Sequence, residues 1–94
     1  MAQTQRISRN NTAILNRNGI REVILHGTII VTVSDNEIIL NNGGYVSSTT
    51  ATRMNQVANE WNLGYGVSRK DGEMFVTYKG VKLPFDGNSI TLKI

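Results

Sequence analysis

The residues best suited to binding chemistry follow one another in a single segment. A run of hydroxyl residues ends with Thr49 and Thr50, and Arg53 and Gln56 come about one and two helical turns later. Hydroxyls and free backbone N–H groups at a helix N-terminus donate hydrogen bonds to anions. A guanidinium can donate two parallel hydrogen bonds to a phosphate or stack on a base. A glutamine amide can form hydrogen bonds with a base edge. These are the residue types of a surface that binds without reacting.

The same residues also have an ordinary structural explanation. Arg53 stands one position before the apolar Met54, where an arginine is commonly solvated. Asn55, Gln56 and Asn59 could donate hydrogen bonds to a base edge, or they could simply keep the exposed side of a helix soluble. The residues alone support the two interpretations equally.

Catalytic chemistry has little support in the sequence. His26 is the only histidine, and no serine, cysteine or carboxylate is spaced to form a nucleophile pair with it. The acidic residues Asp35, Asp71, Glu73 and Asp86 stand in or beside turn sequences, where they bond to local backbone and make no metal-ligand set. The sequence therefore predicts a protein that is not an enzyme and that holds no metal or cofactor.

The composition predicts one small domain. A chain of 94 residues buries a modest core, and domains of this size often gain stability by oligomerising. The absence of cysteine fits a reducing cell interior. Residues 1–11 lack the apolar centre of a signal peptide, and the longest apolar run, Ile29–Val33, is only strand-sized, so no membrane association is expected. The net charge of +3 favours anionic partners, although no basic run has the density of a nucleic-acid-binding arm.

Strand signals occur on both sides of one helical segment. Asn18-Gly19 and Asp71-Gly72 each separate two apolar-rich runs, which is typical of β-hairpins with type I′ turns. Gly27 suggests a bulge or a sharp bend. Pro84 limits its run to an edge strand or a bulged one.

One segment has helical periodicity. Met54, Val57, Ala58 and Trp61 recur at the spacing of a single apolar helix face. With Thr49 or Thr50 as the N-cap and Gly64 as the C-terminal stop, this predicts a helix over about residues 50–62. The expected fold class is α+β, with a mostly antiparallel β-sheet of about six to seven strands and one main helix packed on it. Residues 1–11 would be a flexible or capping segment, and residues 12–94 a single α+β domain.

Two further features have both a structural and a binding interpretation. Gly43 and Gly44 make an ordinary turn before the helix, or they allow a ligand to approach the backbone closely. Tyr78 stands at a strand end, where a ring can project into a site and stack on a nucleobase.

Three segments carry a family resemblance: HGTIIVTV, EIILNNGGY and TTATRMNQVANEWNLGYGV. They resemble small proteins of tailed phages and prophages, and most of all the sponge proteins of the first anti-Thoeris family. The resemblance covers about residues 13–78, and its most specific element is the TT-x-x-RMN helix entry after the GGY turn. It is weaker beyond Tyr78.

The resemblance implies a homo-oligomer that binds and sequesters a host cyclic nucleotide signal, such as a cyclic ADP-ribose isomer or a cyclic oligonucleotide, without cutting it. Its place of action would be the cytoplasm of the infected bacterial host. By the same resemblance, Arg53 would hold a pyrophosphate and Tyr78 would stack on a base. Asn88 would bond to ribose or phosphate, Thr49 and Thr50 would add donors, and a subunit interface would help to enclose the ligand.

Three other functions remain open at the level of sequence. The chain could inhibit a host defence complex by covering a protein or nucleic-acid surface, as anti-CRISPR proteins do. It could be a sequence-tolerant nucleic-acid-binding protein, which the diluted charge disfavours; the residues in that case would be Arg6, Arg9, Arg17, Arg21, Arg69 and Lys70. It could also be a phage structural or assembly protein.

Overall fold

A computed structural model describes residues 12–44, 46–85 and 88–94 of the chain. The segment 1–11, expected to be flexible or to cap the sheet, lies outside the described residues. The described elements are one helix and eight strands, in chain order β1 Thr12–Arg17, β2 Ile20–Leu25, β3 Thr28–Val33, β4 Glu37–Asn41, α1 Ser48–Trp61, β5 Tyr65–Lys70, β6 Glu73–Tyr78, β7 Val81–Pro84 and β8 Ser89–Lys93.

The described strands form two antiparallel sheets, not one. The first has the order β1-β2-β3-β4-β8 and the second the order β5-β6-β7. The α+β class and the antiparallel pairing are confirmed, but the expected count of six to seven strands is too low. The division arises because β8 pairs with the free edge of β4 and not with the preceding strand β7. This pairing sets Ile90 opposite Leu40 and Leu92 opposite Ile38. This register lets the apolar side chains of β8 extend the core face of the first sheet.

Four two-residue turns connect neighbouring strands, and each has the sequence X-Gly. Asn18-Gly19 and Asp71-Gly72 have positive φ at both residues, as a type I′ turn requires, so both predicted hairpins are confirmed. His26-Gly27 and Lys79-Gly80 have the same backbone signature. Gly27 is therefore the second residue of a tight hairpin turn, so of the two alternatives predicted for it the sharp bend is found and the bulge is not.

The bulge lies on β3, three residues after Gly27. Val23 faces Val31 and Ile24 faces Ile29, so Ile30 is the extra residue of β3. Ile30 is buried with Val31, because the bulge turns both side chains into the core.

Helix α1 packs on the inner face of the five-stranded sheet and against β5. The predicted apolar face is confirmed for Met54, Val57 and Ala58, which are buried, while Trp61 is half-buried. The guanidinium of Arg21 lies 4.3 Å from the centre of the Trp61 ring, so this ring is covered by a cation at the helix C-terminus.

The helix begins two residues earlier than predicted. Ser47 is the N-cap, since its hydroxyl accepts a hydrogen bond from the backbone N–H of Thr50 at 3.2 Å. Thr49 and Thr50 thus lie inside the first turn. At the other end Asn62 adopts the left-handed conformation, and the Leu63 N–H bonds to the Ala58 carbonyl at 2.9 Å, so the helix stops before Gly64 is reached.

One side chain of α1 closes the free edge of β5. The Asn55 amide donates to the Val67 carbonyl at 2.9 Å and accepts from the Val67 N–H at 2.7 Å. It therefore bonds to β5 as a residue of a neighbouring strand would. The base-edge bonding considered for Asn55 is replaced by this structural role.

A buried tyrosine also joins α1 to β5. The Tyr65 hydroxyl donates to the Met54 carbonyl at 2.7 Å, and burial raises the pKa of this hydroxyl well above its usual range. The folded chain therefore holds the Tyr65 proton more tightly than the unfolded chain does. The corresponding stabilisation is complete below about pH 10 and is lost as the pH rises above it.

We expect Tyr65→Phe to lower the free energy of unfolding at pH 7 by about 1 kcal/mol, because one buried hydrogen bond is removed. Above about pH 10 the difference between the two proteins should shrink, since the variant has no Tyr65 proton to lose. Urea unfolding at pH 7 and pH 11 measures both effects. Tyr78→Phe, at a half-buried tyrosine, is the control. A constant difference between wild type and Tyr65→Phe at the two pH values would contradict the assignment.

Candidate functional site

A cavity of about 350 Å³ opens beside the N-terminus of α1. Two turns and one helix end form its walls, and its lining residues are Leu25, His26, Thr28, Ile30, Asn42, Ser47, Thr49 and Thr50. Most of them carry hydrogen-bonding groups and none is acidic. We call this space the helix-entry cavity.

The helix N-terminus supplies open donors to the cavity. Ser47 satisfies two helix N–H groups, since its hydroxyl accepts from Thr50 and its carbonyl accepts from Ala51 at 3.1 Å. The N–H groups of Ser48 and Thr49 bond to no acceptor among the described residues. Such N–H groups, together with the positive end of the helix dipole, favour an anion.

Thr49 and Thr50 have different roles, although the sequence grouped them. Thr49 is exposed and lines the cavity, so both its hydroxyl and its N–H remain available. Thr50 is buried, its N–H donates to Ser47, and its hydroxyl accepts from the Ser47 hydroxyl at 3.0 Å. Thr50 therefore builds the cap, and Thr49 presents groups to a ligand.

Arg53 and Gln56 extend from Thr49 along one side of the helix. Their spacing of four and then three residues places the three side chains in a row. The Arg53 Nε donates to the Thr12 hydroxyl at 3.2 Å, and Thr12 faces Leu25, which lines the cavity. Arg53 thus lies about one helical turn from the cavity, half-buried against β1, and Gln56 lies about one turn further.

Asn88 lies near the cavity without lining it. Its carbonyl accepts from the Asn42 N–H at 2.8 Å, and its side chain is exposed. Asp86 and Gly87, which complete the predicted turn before it, lie outside the described residues. Asn88 is thus separated from the helix-entry cavity by the Asn42–Gly44 loop.

The structure does not bring Tyr78 to this cavity. Asn42 contacts Met74 near the start of β6 through its amide, 3.9 Å from the sulfur. Tyr78 lies four residues further along β6, a distance of about 13 Å at ~3.3 Å per residue. Its ring packs partly against the core, and Lys79 Nζ lies 5.2 Å from the ring centre.

Sequence reasoning missed three polar wall residues besides the cap. His26 is the first residue of the β2–β3 turn and Thr28 follows that turn, so a search for X-Gly hairpin turns would have found their positions. Asn42 is only 3% exposed, and its Oδ1 accepts from the Gly44 N–H at 2.8 Å. It also borders a second cavity of about 250 Å³ on the Met74 side. The Asn-Asn-Gly-Gly sequence signals this local bonding, but not the burial.

The close approach allowed by Gly43 is to the chain itself. A Cβ atom added at Gly43 would lie 2.8 Å from the Thr28 Cγ2 atom, and the glycine φ is +63°. The Thr28 side chain therefore occupies the space considered for a ligand at Gly43, and this contact sets the distance between two walls of the helix-entry cavity.

Three of the arginines considered for nucleic-acid binding each contact another group of the chain. Arg17 lies 3.8 Å from the Glu22 carboxylate, Arg21 stacks on Trp61, and Arg69 Nη1 bonds to the Val46 carbonyl at 3.5 Å. The nucleic-acid-binding alternative also used Arg6 and Arg9, which lie outside the described residues. Within the described ranges there is no cluster of three possible metal ligands and no helix long and apolar enough to cross a membrane.

The comparisons with known proteins give one family. No curated protein and no solved structure matches the chain. A family model described as Kyanoviridae Gp96 protein matches residues 1–91, which is nearly the whole chain. The expectation of a phage protein is thereby confirmed, while the narrower resemblance to anti-Thoeris sponges gains no support from this match. The chain belongs to the Kyanoviridae Gp96 family of phage proteins.

Proposed function

We propose that this phage protein is a homo-oligomeric, non-hydrolysing binder that sequesters a nucleotide-type signal of the host, such as a cyclic ADP-ribose isomer or a cyclic oligonucleotide, in the host cytoplasm. The observation that carries the proposal is the helix-entry cavity, which joins open helix N–H groups to a wall without acidic residues. The ligand class follows from that chemistry together with the sequence resemblance.

The cavity has the donors and the dimensions for the phosphate end of a nucleotide. The N–H groups of Ser48 and Thr49 and the Thr49 hydroxyl would bond to phosphate oxygens. Arg53 would approach from the next helical turn if it exchanged Thr12 for a phosphate. A volume of about 350 Å³ is at the small end of ligand sites, so the base would extend towards the rim.

Binding without reaction is consistent with the wall chemistry. His26 is the one imidazole of the wall, and no cysteine or carboxylate lines the cavity with it. Among the described residues neither the Thr49 nor the Ser47 hydroxyl bonds to His26, and the Ser47 hydroxyl donates to Thr50 instead. A ligand held here would meet hydrogen-bond donors and no activated nucleophile. It should therefore be released intact when the protein is denatured.

The direct test is calorimetric titration of the purified protein with cyclic ADP-ribose isomers and cyclic di- and trinucleotides. Heat denaturation followed by chromatography then shows whether the bound ligand is unchanged. Tight binding with intact release is the expected result. Absence of binding across the panel, or recovery of a cleaved product, would overturn the proposal.

We expect Thr49→Asp to weaken binding of the identified ligand by about thirtyfold, because a carboxylate in the wall repels phosphate. The fold should be retained, since an acidic residue in the first turn of a helix is favourable by about 0.5 kcal/mol. Asn59→Asp adds the same charge on the same helix, at an exposed position more than two turns away, and should bind nearly as the wild type does. Equal affinities of the two variants would place the ligand elsewhere.

A further inference from the structure

The two sheets have outer faces of different character. On the three-stranded sheet the outer face is mostly polar, and its one aromatic ring, Phe75, is covered by Lys82 with Nζ 4.8 Å from the ring centre. On the five-stranded sheet, the side opposite α1 carries large aliphatic residues. Its apolar members are Ala13, Leu15, Ile20, Ile24, Ile29 and Ile39. We call this side the outer apolar face.

A sheet face that is exposed to solvent normally carries polar residues. An antiparallel sheet with one face on the core and one in solvent alternates apolar and polar residues along each strand. Here β1 to β4 break that rule, and Leu15, Ile20 and Ile29 are each 40–41% exposed. Neighbouring aliphatic side chains spread over several strands make a continuous patch, which marks an interaction surface.

We propose that the outer apolar face is the contact surface between two copies of this chain. The charges on this side of the sheet favour a second copy as the occupant. Two cations and two anions lie there as two pairs, Arg17 with Glu22 and Lys93 with Glu37 at 2.9 Å. The face is thus formally neutral on a chain with a net charge of +3. Two copies can meet on it without like-charge repulsion, and each sign finds its opposite on the partner.

The size of the face predicts a weak dimer. Five strands about 4.8 Å apart and about five residues long, at ~3.3 Å per residue, give a projected area of about 400 Å² per copy. Two such faces bury about 800 Å² by projection, and more when corrugated side chains interlock. This area lies below that of standard specific interfaces and within the range of weak, transient association, so the dimer should form and dissociate readily.

The dimer would leave each copy with a ligand site of its own. The helix-entry cavity is formed by α1 and the turn ends on the other side of the five-stranded sheet. Pairing through the outer apolar face therefore points the two cavities away from each other. This arrangement differs from the site enclosed between subunits that the sequence resemblance implied, and it predicts one ligand per chain.

Sedimentation equilibrium from 5 to 500 μM tests the interface without any ligand, so it separates failure of the interface from failure of ligand binding. Wild type should dimerise, and Ile29→Lys should raise the dissociation constant at least about tenfold, because the symmetric contact loses two apolar side chains and gains two charges. Val81→Lys changes an even more exposed apolar residue on the other sheet and should dimerise as wild type does. A monomeric wild type, or an unaffected Ile29→Lys, would overturn the proposal.

Cross-linking gives a second test that needs no destabilising change. Thr32 is on the central strand of the outer apolar face, between Glu22 and Ile39, and the natural chain has no cysteine. Thr32→Cys should give a covalent dimer with a bis-maleimide whose length is about half the width of the outer apolar face. Thr77→Cys, exposed on the central strand of the other sheet, is the matched control. Cross-linking of Thr77→Cys alone would assign any dimer to another surface, and cross-linking of neither would exclude this interface.

Discussion

Replacing Asn55 with alanine is expected to lower the free energy of unfolding by about 1.5 to 2.5 kcal/mol. The Asn55 amide makes two short bonds to the backbone of Val67, a residue that is 7% exposed. Removing the amide leaves one buried N–H and one buried carbonyl without a partner, at about 1 to 1.5 kcal/mol each. The higher helix propensity of alanine returns only about 0.6 kcal/mol. Urea unfolding monitored by circular dichroism measures the difference.

Asn59→Ala provides the matched control. Asn59 is on the same helix, one turn later, and is exposed. The substitution brings the same gain in helix propensity without removing a bond to β5, so its stability should equal or slightly exceed that of wild type. Similar stabilities for Asn55→Ala and Asn59→Ala would mean that water replaces the Asn55 amide at the edge of β5 at little cost.

The destabilisation by Asn55→Ala should also be local. Helix α1 joins the two sheets, and Asn55 and Tyr65 are two of the polar links between α1 and β5. Hydrogen exchange should therefore accelerate first in β5 of Asn55→Ala, while β2 and β3 keep their protection. Uniform acceleration across both sheets would indicate that the domain opens only as one unit.

Local sequence signals predicted the hairpins and the helix well. Asn18-Gly19 and Asp71-Gly72 carry the residues that a type I′ turn prefers, and Met54 to Trp61 carry the helical period. Lys79-Gly80 makes the same kind of turn without Asn or Asp at its first position, so the β6–β7 hairpin gave a weaker signal. This weaker turn signal is one reason why the predicted number of strands was too low.

The division into two sheets could not be read from local signals. The sequence Asp86-Gly87-Asn88 predicts a change of chain direction, but not which free edge β8 will join. The choice is made by contacts between distant residues, Ile90 with Leu40 and Leu92 with Ile38. The alternation of apolar and polar residues in β8 is compatible with pairing to several free strand edges.

The candidate site was found in part for the same reason. Thr49 and Arg53 are close in sequence and lie on one side of a helix, so spacing was enough to group them. His26 and Thr28 are far from Asn42 in sequence, and all three stand at or beside the ends of β2, β3 and β4. Only the pairing of these strands in the sheet brings the three residues to one cavity. Tyr78 was grouped with Thr49 and Arg53 by its residue type and by the family resemblance, and the direction of β6 places it about 13 Å from the Asn42 contact at ~3.3 Å per residue.

Gly43→Ala is expected to cost about 3 kcal/mol of stability. The left-handed φ of +63° is unfavourable for alanine by about 1 kcal/mol. The new methyl group would also meet Thr28 Cγ2 at 2.8 Å, and relieving such an overlap typically costs 1 to 3 kcal/mol, about 2 of which we assign here. Gly19→Ala is the control, because φ is +78° there and no atom lies within 4 Å of the added group. It should lose only about 1 kcal/mol.

A double variant separates the two causes of the Gly43 effect. Thr28→Ser removes the Cγ2 atom and keeps the hydroxyl, so Gly43→Ala in the Thr28→Ser background should cost about 1 to 2 kcal/mol less than in wild type. Only a real contact between these side chains produces such coupling, since backbone strain at residue 43 is the same in both backgrounds. Additive effects would show that the Asn42–Gly44 loop can move away from Thr28. In that case the wall spacing of the helix-entry cavity is adjustable, and a ligand larger than about 350 Å³ can enter it.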